Sequence, residues 1–306
     1  MNARFTANEI LGITRAEIVQ GKPGEMPGRL VWLLEDITDG DWFVALSSGA
    51  VDSHDYLERA MELGAQGCIV NRRARYCFAG DDSVLLAVTD TWTALWELAL
   101  TWRETAADKV VTITGSEGRR DTVYFLEFLL RRKYRCHVAV EKDGLHCLAD
   151  LLATPRGTEV LIAEVNGSER GAISKIGTYL KPNLAIVTTT QHPIPSRSRD
   201  ARAASLNCEI LETLSEECSA VIYDRNPAVH ERAILLTDGL DTTLFTEEKL
   251  NLSKSGLSWL SENSGIKHVD ANTEGNAWCA LAAAVSLGFS LEDNPHIVSE
   301  VIVEAS

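Results

Sequence analysis

Between residues 110 and 121 the chain reads Val-Val-Thr-Ile-Thr-Gly-Ser-Glu-Gly-Arg-Arg-Asp, a β-branched run broken by two glycines and followed by basic side chains. Strand, glycine turn and helix in that order are the layout of a phosphate-binding loop. The glycines let backbone N–H groups approach an anion, a lysine reaches the outer phosphates, and a Ser or Thr hydroxyl ligates magnesium. The candidate nucleotide-binding residues are therefore Thr114, Gly115, Ser116, Gly118, Arg119, Arg120 and Asp121. A strand-to-helix turn without a ligand is the alternative for the same residues. Arg119 stands where the lysine belongs and Arg120 where the hydroxyl belongs. Arginine keeps the charge, but its planar fork is bulkier than an ammonium, and a guanidinium cannot ligate Mg²⁺. Glu164, which ends the apolar run Glu159 to Glu164, is the candidate catalytic carboxylate and metal ligand. A carboxylate at the carboxyl end of a parallel strand sits where such sheets bind ligands. His192, just after Thr188-Thr189-Thr190, is the second catalytic candidate, with an ordinary loop residue as its alternative. Arg197, Arg199 and Arg202 form either a solvated face or a patch for a partner's acidic surface.

The elements that must position these groups follow from apolar periodicity. In the first hundred residues Trp42 to Leu46 reads as a buried strand, His54 to Leu63 as an amphipathic helix ended by Gly64, and Cys68 to Val70 as the next strand. Val84 to Val88 is a further strand, and Thr91 to Trp102 a tryptophan-containing helix. The polar stretch Arg103 to Asp108 separates this unit from the next, which places an N-terminal domain over 1–107 and a nucleotide-binding type of domain over 108–306. In the second block the strand Val110 to Ile113 leads through the glycine loop into a helix over Val123 to Arg132. Glu159 to Glu164 and Leu184 to Val187 are two more strands around a helix over Gly171 to Leu180, and Trp278 to Leu287 is an alanine-rich buried helix. Gln191 to Ala204 reads as an exposed loop running into a helix. Strands alternating with helices predict an α/β fold: a small N-terminal α/β domain and a central parallel sheet covered on both faces.

With 29 basic against 44 acidic residues, the formal charge of −15 repels a phosphate backbone, so nucleic acid is excluded as the expected partner. The seven cysteines carry no Cys-x-x-Cys and no zinc-type pairing and are expected as reduced thiols. The first residues lack the apolar core of a signal peptide, and no run approaches the roughly 18 apolar residues of a membrane span. No membrane contact and a cytoplasmic location are the resulting expectations.

Val111 to Gly118 is similar to the Thr-Gly-x-x-Gly-Lys-Thr strand and loop of the Mur ligase family, the ATP-dependent enzymes that add amino acids to the peptidoglycan precursor. Further segments resemble that family in the right order, and most of all its D-alanyl-D-alanine-adding branch. Gly40 to Leu46 with Asp52 to Tyr56 and Gly64-Ala65 resembles the N-terminal domain. Ile162 to Gly167 with Gly171 to Ile173, and Lys181 to Thr188, resemble two strands of the central domain, and Asn276 to Ala284 resembles its asparagine-led closing helix. The resemblance covers nearly the whole chain and implies an ATP-binding central domain in which Glu164 matches the magnesium-bridging glutamate.

Four departures bear on the implied activity. The loop lysine and hydroxyl are Arg119 and Arg120. The family's carbamoylated lysine, which helps organise a second magnesium ion, is matched by Asn207. The Asp-Ser/Thr-Arg element that contacts the nucleotide of the UDP-linked substrate is matched by Leu33-Leu34-Glu35, whose carboxylate would repel a diphosphate. The family's C-terminal domain has no counterpart in this sequence. Phosphoryl transfer rests on positioning and charge stabilisation, and one positive group is worth about 10³ to 10⁵ in rate. The expectation is a degenerate Mur-type protein, a pseudoenzyme or non-catalytic subunit that binds a small ligand or another protein, such as a Mur-like ligase or a second copy of itself. No cofactor is assigned under that reading. The alternative is an ATP-dependent amide ligase that activates a small carboxylate as an acyl phosphate with ATP and Mg²⁺, its C-terminal domain supplied in trans.

Overall fold

The computed structural model of the chain describes residues 2–48, 51–73, 83–140, 144–188, 197–223, 227–238, 240–245, 251–252, 273–290 and 301–302. The chain divides into two compact units, Met1–Ala106 with Leu148–Arg156, and Ala107–Cys147 with Gly157–Ser306.

The first unit opens with α1 (Ala7–Thr14), started by a reciprocal cap in which Thr6 Oγ1 accepts the Glu9 N–H and the Glu9 carboxylate accepts the Thr6 N–H. Then follow β1 (Glu17–Gln20), β2 (Leu30–Val31), β3 (Trp42–Val44), a short antiparallel pair of β4 (Ser47–Ser48) and β5 (Val51–Asp52), α2 (Leu57–Glu62), β6 (Gly67–Asn71), β7 (Leu85–Val88) and α3 (Thr91–Ala106). The sheet order is β1-β7-β6-β3-β2, parallel throughout except for β1, which runs antiparallel to β7. Phe43, Ala45, Cys68, Val70, Leu85 and Ala87 pack against Leu57 and Ala60 of α2. Each large side chain so buried contributes about 1.5–3 kcal/mol. Leu148–Arg156 belongs to this unit because the Leu152 carbonyl accepts the Asn2 and Ala3 N–H groups at 3.0 and 2.8 Å, and Thr154 O accepts Trp102 Nε1–H at 2.9 Å.

The helix expected over His54 to Leu63 is divided: a 3₁₀ turn, Ser53–Tyr56, precedes α2. His54 sits in that turn, buried, with Nδ1 at 2.5 Å from Asp52 Oδ1 and Nε2 accepting the Asn71 N–H at 2.9 Å. A nitrogen that accepts from an amide carries no proton, so His54 is the neutral Nδ1–H tautomer that ties the turn to the end of β6. The polar separator expected at Arg103 to Asp108 is not a loop. α3 continues to Ala106 with Arg103 buried, and the next strand starts at Ala107.

The second unit contains β8 (Ala107–Thr114), α4 (Arg119–Leu130), β9 (Cys136–Val140), the start of α5 (Gly144–Ala153), β10 (Thr158–Glu164), α6 (Ala172–Leu180), β11 (Leu184–Val187), α7 (Arg197–Asn207), β12 (Ser219–Tyr223), α8 (Pro227–Leu236), β13 (Asp241–Phe245) and α9 (Thr273–Ser286). Six strands lie in the order β13-β12-β11-β8-β10-β9, every neighbouring pair parallel. Parallel strands buried on both faces require continuous apolar runs, and Val110–Ile113, Val160–Ala163 and Leu184–Val187 are such runs apart from Thr112. Phe125, Leu126, Leu129 and Leu130 of α4 pack with Ala277, Ala280, Ala283 and Ala284 of α9 over Val111, Ile113, Ile162 and Ile186. Alanines allow α9 to lie close to α4, and α9 starts five residues before the expected Trp278, which puts Asn276 in its first turn.

None of the helices among the described residues is long and apolar enough to cross a membrane. The described cysteines are free, and burial pushes the thiols of Cys68, Cys208 and Cys279 up to about 12 and that of Cys136 up to about 11, so none of these four is a ready nucleophile.

In the first unit Asp41 is 1% exposed and accepts hydrogen bonds from Arg29 Nε and Nη2 at 2.9 and 2.5 Å and from Thr38 N and Oγ1, both at 2.9 Å. Burial alone would raise its pKa. The Arg29 and Thr38 hydrogen bonds and the Arg29 charge outweigh burial and hold it below the usual carboxylate value. A depressed folded-state pKa adds stability above the unfolded value of about 3.9, and that stability is lost as pH falls through the lower folded value. Asp41→Asn should therefore cost about 2–4 kcal/mol at pH 7 in urea unfolding, with a smaller loss of stability than wild type between pH 5 and pH 3. Equal acid sensitivity in the two proteins would remove Asp41 as the cause.

Candidate functional site

The carboxyl ends of three neighbouring strands bring the glycine loop together with its surroundings. In the parallel register Ile113 stands opposite both Glu164 and Ile186, and Thr114 opposite Val187, so β8, β10 and β11 end side by side. Beyond β8 the chain turns through Gly115 at φ +148° and Gly118 at φ +74° into α4. Both glycines are required twice over. A Cβ on Gly115 would run into Thr188 Oγ1, and one on Gly118 into the Asn276 amide. Gly118 is the N-cap residue of α4 with no side-chain cap, so the first-turn N–H groups face the loop and carry the helix's partial positive charge.

Three side chains from other elements hold the loop in shape. The Thr188 hydroxyl, fully buried, lies 2.7 Å from the Glu117 carbonyl and 3.1 Å from that of Thr114. Asn207, at the end of α7, donates from Nδ2 to Ser116 Oγ at 3.3 Å, and its own carbonyl accepts the Thr114 hydroxyl at 2.9 Å. Asn276, 1% exposed, packs its amide against Gly118 with Oδ1 buried and without a hydrogen-bond partner among the described residues.

Arg119 determines what the loop can accept. Its Nε donates to Glu164 Oε1 at 3.2 Å and its Nη1 donates back to the Gly115 carbonyl, so the guanidinium lies across the mouth of the loop. Arg120 Nη2 stands 3.6 Å from the other Glu164 oxygen. The Glu164 side chain is 6% exposed and that of Arg119 19%, so this ion pair is largely desolvated. Water screens such a pair weakly, and deleting either partner strands the other charge. Among the described residues no group of three or more His, Cys, Asp or Glu side chains could hold a metal ion. Mg²⁺ is commonly held by one or two carboxylates together with waters and substrate phosphates. Glu164 is engaged by both Arg119 and Arg120, so a divalent ion at this position would have to draw the carboxylate away from two guanidinium groups.

Gly115, Ser116, Arg119, Asn166, Gly167, Ala203, Leu206 and Asn207 line a cavity of about 230 Å³. That lies below the roughly 300–1,000 Å³ of sites that bury a small organic ligand.

The structure thus gathers Gly115, Ser116, Gly118, Arg119, Arg120 and Glu164 at one point. Thr114 contributes a buried hydroxyl spent on Asn207, and Asp121 lies within the first turn of α4, partly buried. His192 lies outside the described residues. Of the arginine cluster, Arg202 lies exposed on α7. Thr188 and Asn276 were not singled out from sequence as loop-contacting residues. The only signal for Thr188 was its place just past a strand end, and for Asn276 its place in the first turn of an alanine-rich helix.

No protein-family model matches the chain. It is 27% identical over 215 residues to the UDP-N-acetylmuramoyl-tripeptide–D-alanyl-D-alanine ligase of Rickettsia prowazekii, covering 69% of this chain and 47% of that protein. It is 25% identical over 262 residues to the enzyme of the same name from Bacillus subtilis, covering 82% of this chain and 57% of that protein. The chain therefore spans about half the length of these curated relatives. Its fold is shared with the crystal structure of MurF from Acinetobacter baumannii, with a TM-score of 0.79 at 20% identity over 99% of this chain and 69% of that one.

If the glycines hold the loop as described, Gly118→Ala should destabilise the chain by about 1–3 kcal/mol, from both its left-handed backbone and the Asn276 clash. Gly12→Ala is the control: it lies inside α1 with nothing within 4 Å of an added Cβ, and should be neutral or stabilising by up to about 1 kcal/mol. Chemical denaturation of the two variants checks both signs.

Proposed function

We propose, for a chain that is a relative of the Mur ligases, that it is a degenerate member in which the central-domain loop is occupied by its own arginine, and that it acts as a non-catalytic binding subunit. One observation carries this reading: the Arg119 guanidinium is bonded to Glu164 and to the Gly115 carbonyl, where a nucleotide's outer phosphates and a metal ion would have to sit. For ATP to enter, Arg119 must leave a partly buried ion pair, at a cost of about 3–5 kcal/mol by the usual penalty for breaking one. Unless the phosphates and metal compensate the separated charges, that weakens binding by about two to four orders of magnitude. Asn207 cannot carry a carbamate, and its amide is engaged with Ser116. In the first unit Glu35 is exposed in a short 3₁₀ turn, Leu34–Asp36, and presents negative charge where the resemblance implies contact with a UDP-linked substrate. A UDP-linked precursor is therefore not the expected ligand; another small ligand, or another protein such as a Mur-like ligase or a second copy of this chain, is.

A second reading is favoured by the loop itself, which keeps both glycine conformations and a buried carboxylate at the end of β10. Under it the chain is an ATP-dependent acid–amino acid ligase, and Arg119 swings from Glu164 onto the phosphates.

Calorimetric titration with Mg-ATP separates the two. The first reading expects no binding tighter than about 1 mM. Replacing Arg119→Lys, Arg120→Thr and Asn207→Lys together should bring nucleotide binding back. Tight binding to the unaltered chain, lost in Glu164→Gln, would establish the ligase instead.

A further inference from the structure

A second cavity, not used so far, lies in the first unit at the carboxyl ends of β6 and β7. It measures about 640 Å³ and is lined by Ile13, Thr14 and Arg15 after α1, Glu17 of β1, Arg72 after β6, and residues from Val88 to Glu97. The carboxyl edge of parallel strands is where open α/β sheets take ligands, and this volume falls within the small-molecule range. Its walls carry both signs of charge in separate places. On α3, Thr93, Ala94 and Glu97 recur at helical spacing with Asp90 just ahead of them, so one helix face presents two carboxylates and a hydroxyl. Asp90 Oδ1 accepts the Thr93 N–H at 2.7 Å, while the half-buried Glu97 carboxylate has no hydrogen-bond or ion-pair partner among the described residues. Arg15, another lining residue, is held in the left-handed region at φ 54° as the C-cap of α1, and its exposed guanidinium likewise has no partner among the described residues. Arg72 Nη2 pairs with Glu17 Oε1 at 3.1 Å, and the Arg72 N–H donates to the Val88 carbonyl at 2.7 Å, which fixes that corner of the cavity.

We infer that this cavity binds a small zwitterion, a ligand with an ammonium group for Glu97 and Asp90 and a carboxylate for Arg15, the two separated by a chain of several atoms. A purely anionic ligand would leave the carboxylate face of α3 uncompensated, and a purely cationic one would leave Arg15 uncompensated, since Arg72 is already paired with Glu17. A free amino acid with a distant amine and the two ends of a short peptide share this chemistry.

The test is calorimetry and amide-shift mapping on the full chain without nucleotide, using ε-aminocaproate, triglycine, hexylamine and hexanoate. ε-Aminocaproate should bind about ten-fold tighter than hexylamine or hexanoate, the factor one ordinary charge-assisted contact supplies, with shifts centred on 88–97. Triglycine binding as well as ε-aminocaproate assigns the peptide source, and weaker binding assigns the free amino acid. Glu97→Gln should reduce ε-aminocaproate to the affinity of hexanoate, and Arg15→Gln to that of hexylamine, with unchanged melting temperatures showing that both variants fold. No binding, equal binding of all four probes, or shifts elsewhere would overturn the inference. Arg119→Lys should leave this binding untouched, so the outcome is independent of the reading of the glycine loop.

Discussion

The ion pair between Arg119 and Glu164 is the interaction on which the chemistry of the central unit depends. A loop of backbone N–H groups at a helix N-terminus attracts an anion. A carboxylate at the neighbouring strand end attracts a cation. In a working phosphate site both demands are met by the ligand and its metal. Here one guanidinium meets the carboxylate from inside the protein and also bonds to the loop carbonyl of Gly115. Because Glu164 is nearly excluded from water, the pair is weakly screened.

The fold around that pair is arranged to keep it in place. Register sets Glu164 beside Ile113, so the carboxylate is delivered by backbone pairing. Thr188, Asn207 and Asn276 each reach the loop from a different element, and two of them stand where a glycine lacks a side chain. The outcome is a glycine loop held from three sides, with the Arg119 guanidinium bonded to both Glu164 and the Gly115 carbonyl. The first unit follows separate rules. Its parallel strands are fastened at turns by Asp41 with Arg29 and by His54 with Asn71, and its open cavity carries charges of both signs.

Much of this was legible in the residues. β-Branched and apolar runs marked the strands of the central sheet because a strand buried on both faces must be apolar throughout. The glycine loop was legible because only glycine tolerates both the backbone angles and the close approach. The relationship to Mur ligases was legible as a series of short motifs in order. Less visible were α1 and β1, although Thr6 and Glu9 form a capping box at the spacing that marks a helix start. The run Arg103 to Asp108 reads as a linker because it is polar, yet Arg103 is buried and the helix passes directly into β8. Local polarity does not report which side chains the folded chain buries.

By itself the sequence determined the α/β class, the position of the phosphate-type loop, and the exchange of an ammonium and a hydroxyl for two guanidinium groups. Those are properties of residue type and short spacing. Tertiary structure alone decided where the Arg119 charge goes. Arg119 and Glu164 are 45 positions apart, and only the parallel pairing of β8 with β10 sets them within hydrogen-bonding distance. It likewise decided that Thr188 and Asn276 fill the space left by two glycines, and that Arg15 and Glu97 line one cavity. Such contacts join elements far apart in the chain, and no local pattern encodes a distance that only the folded sheet creates.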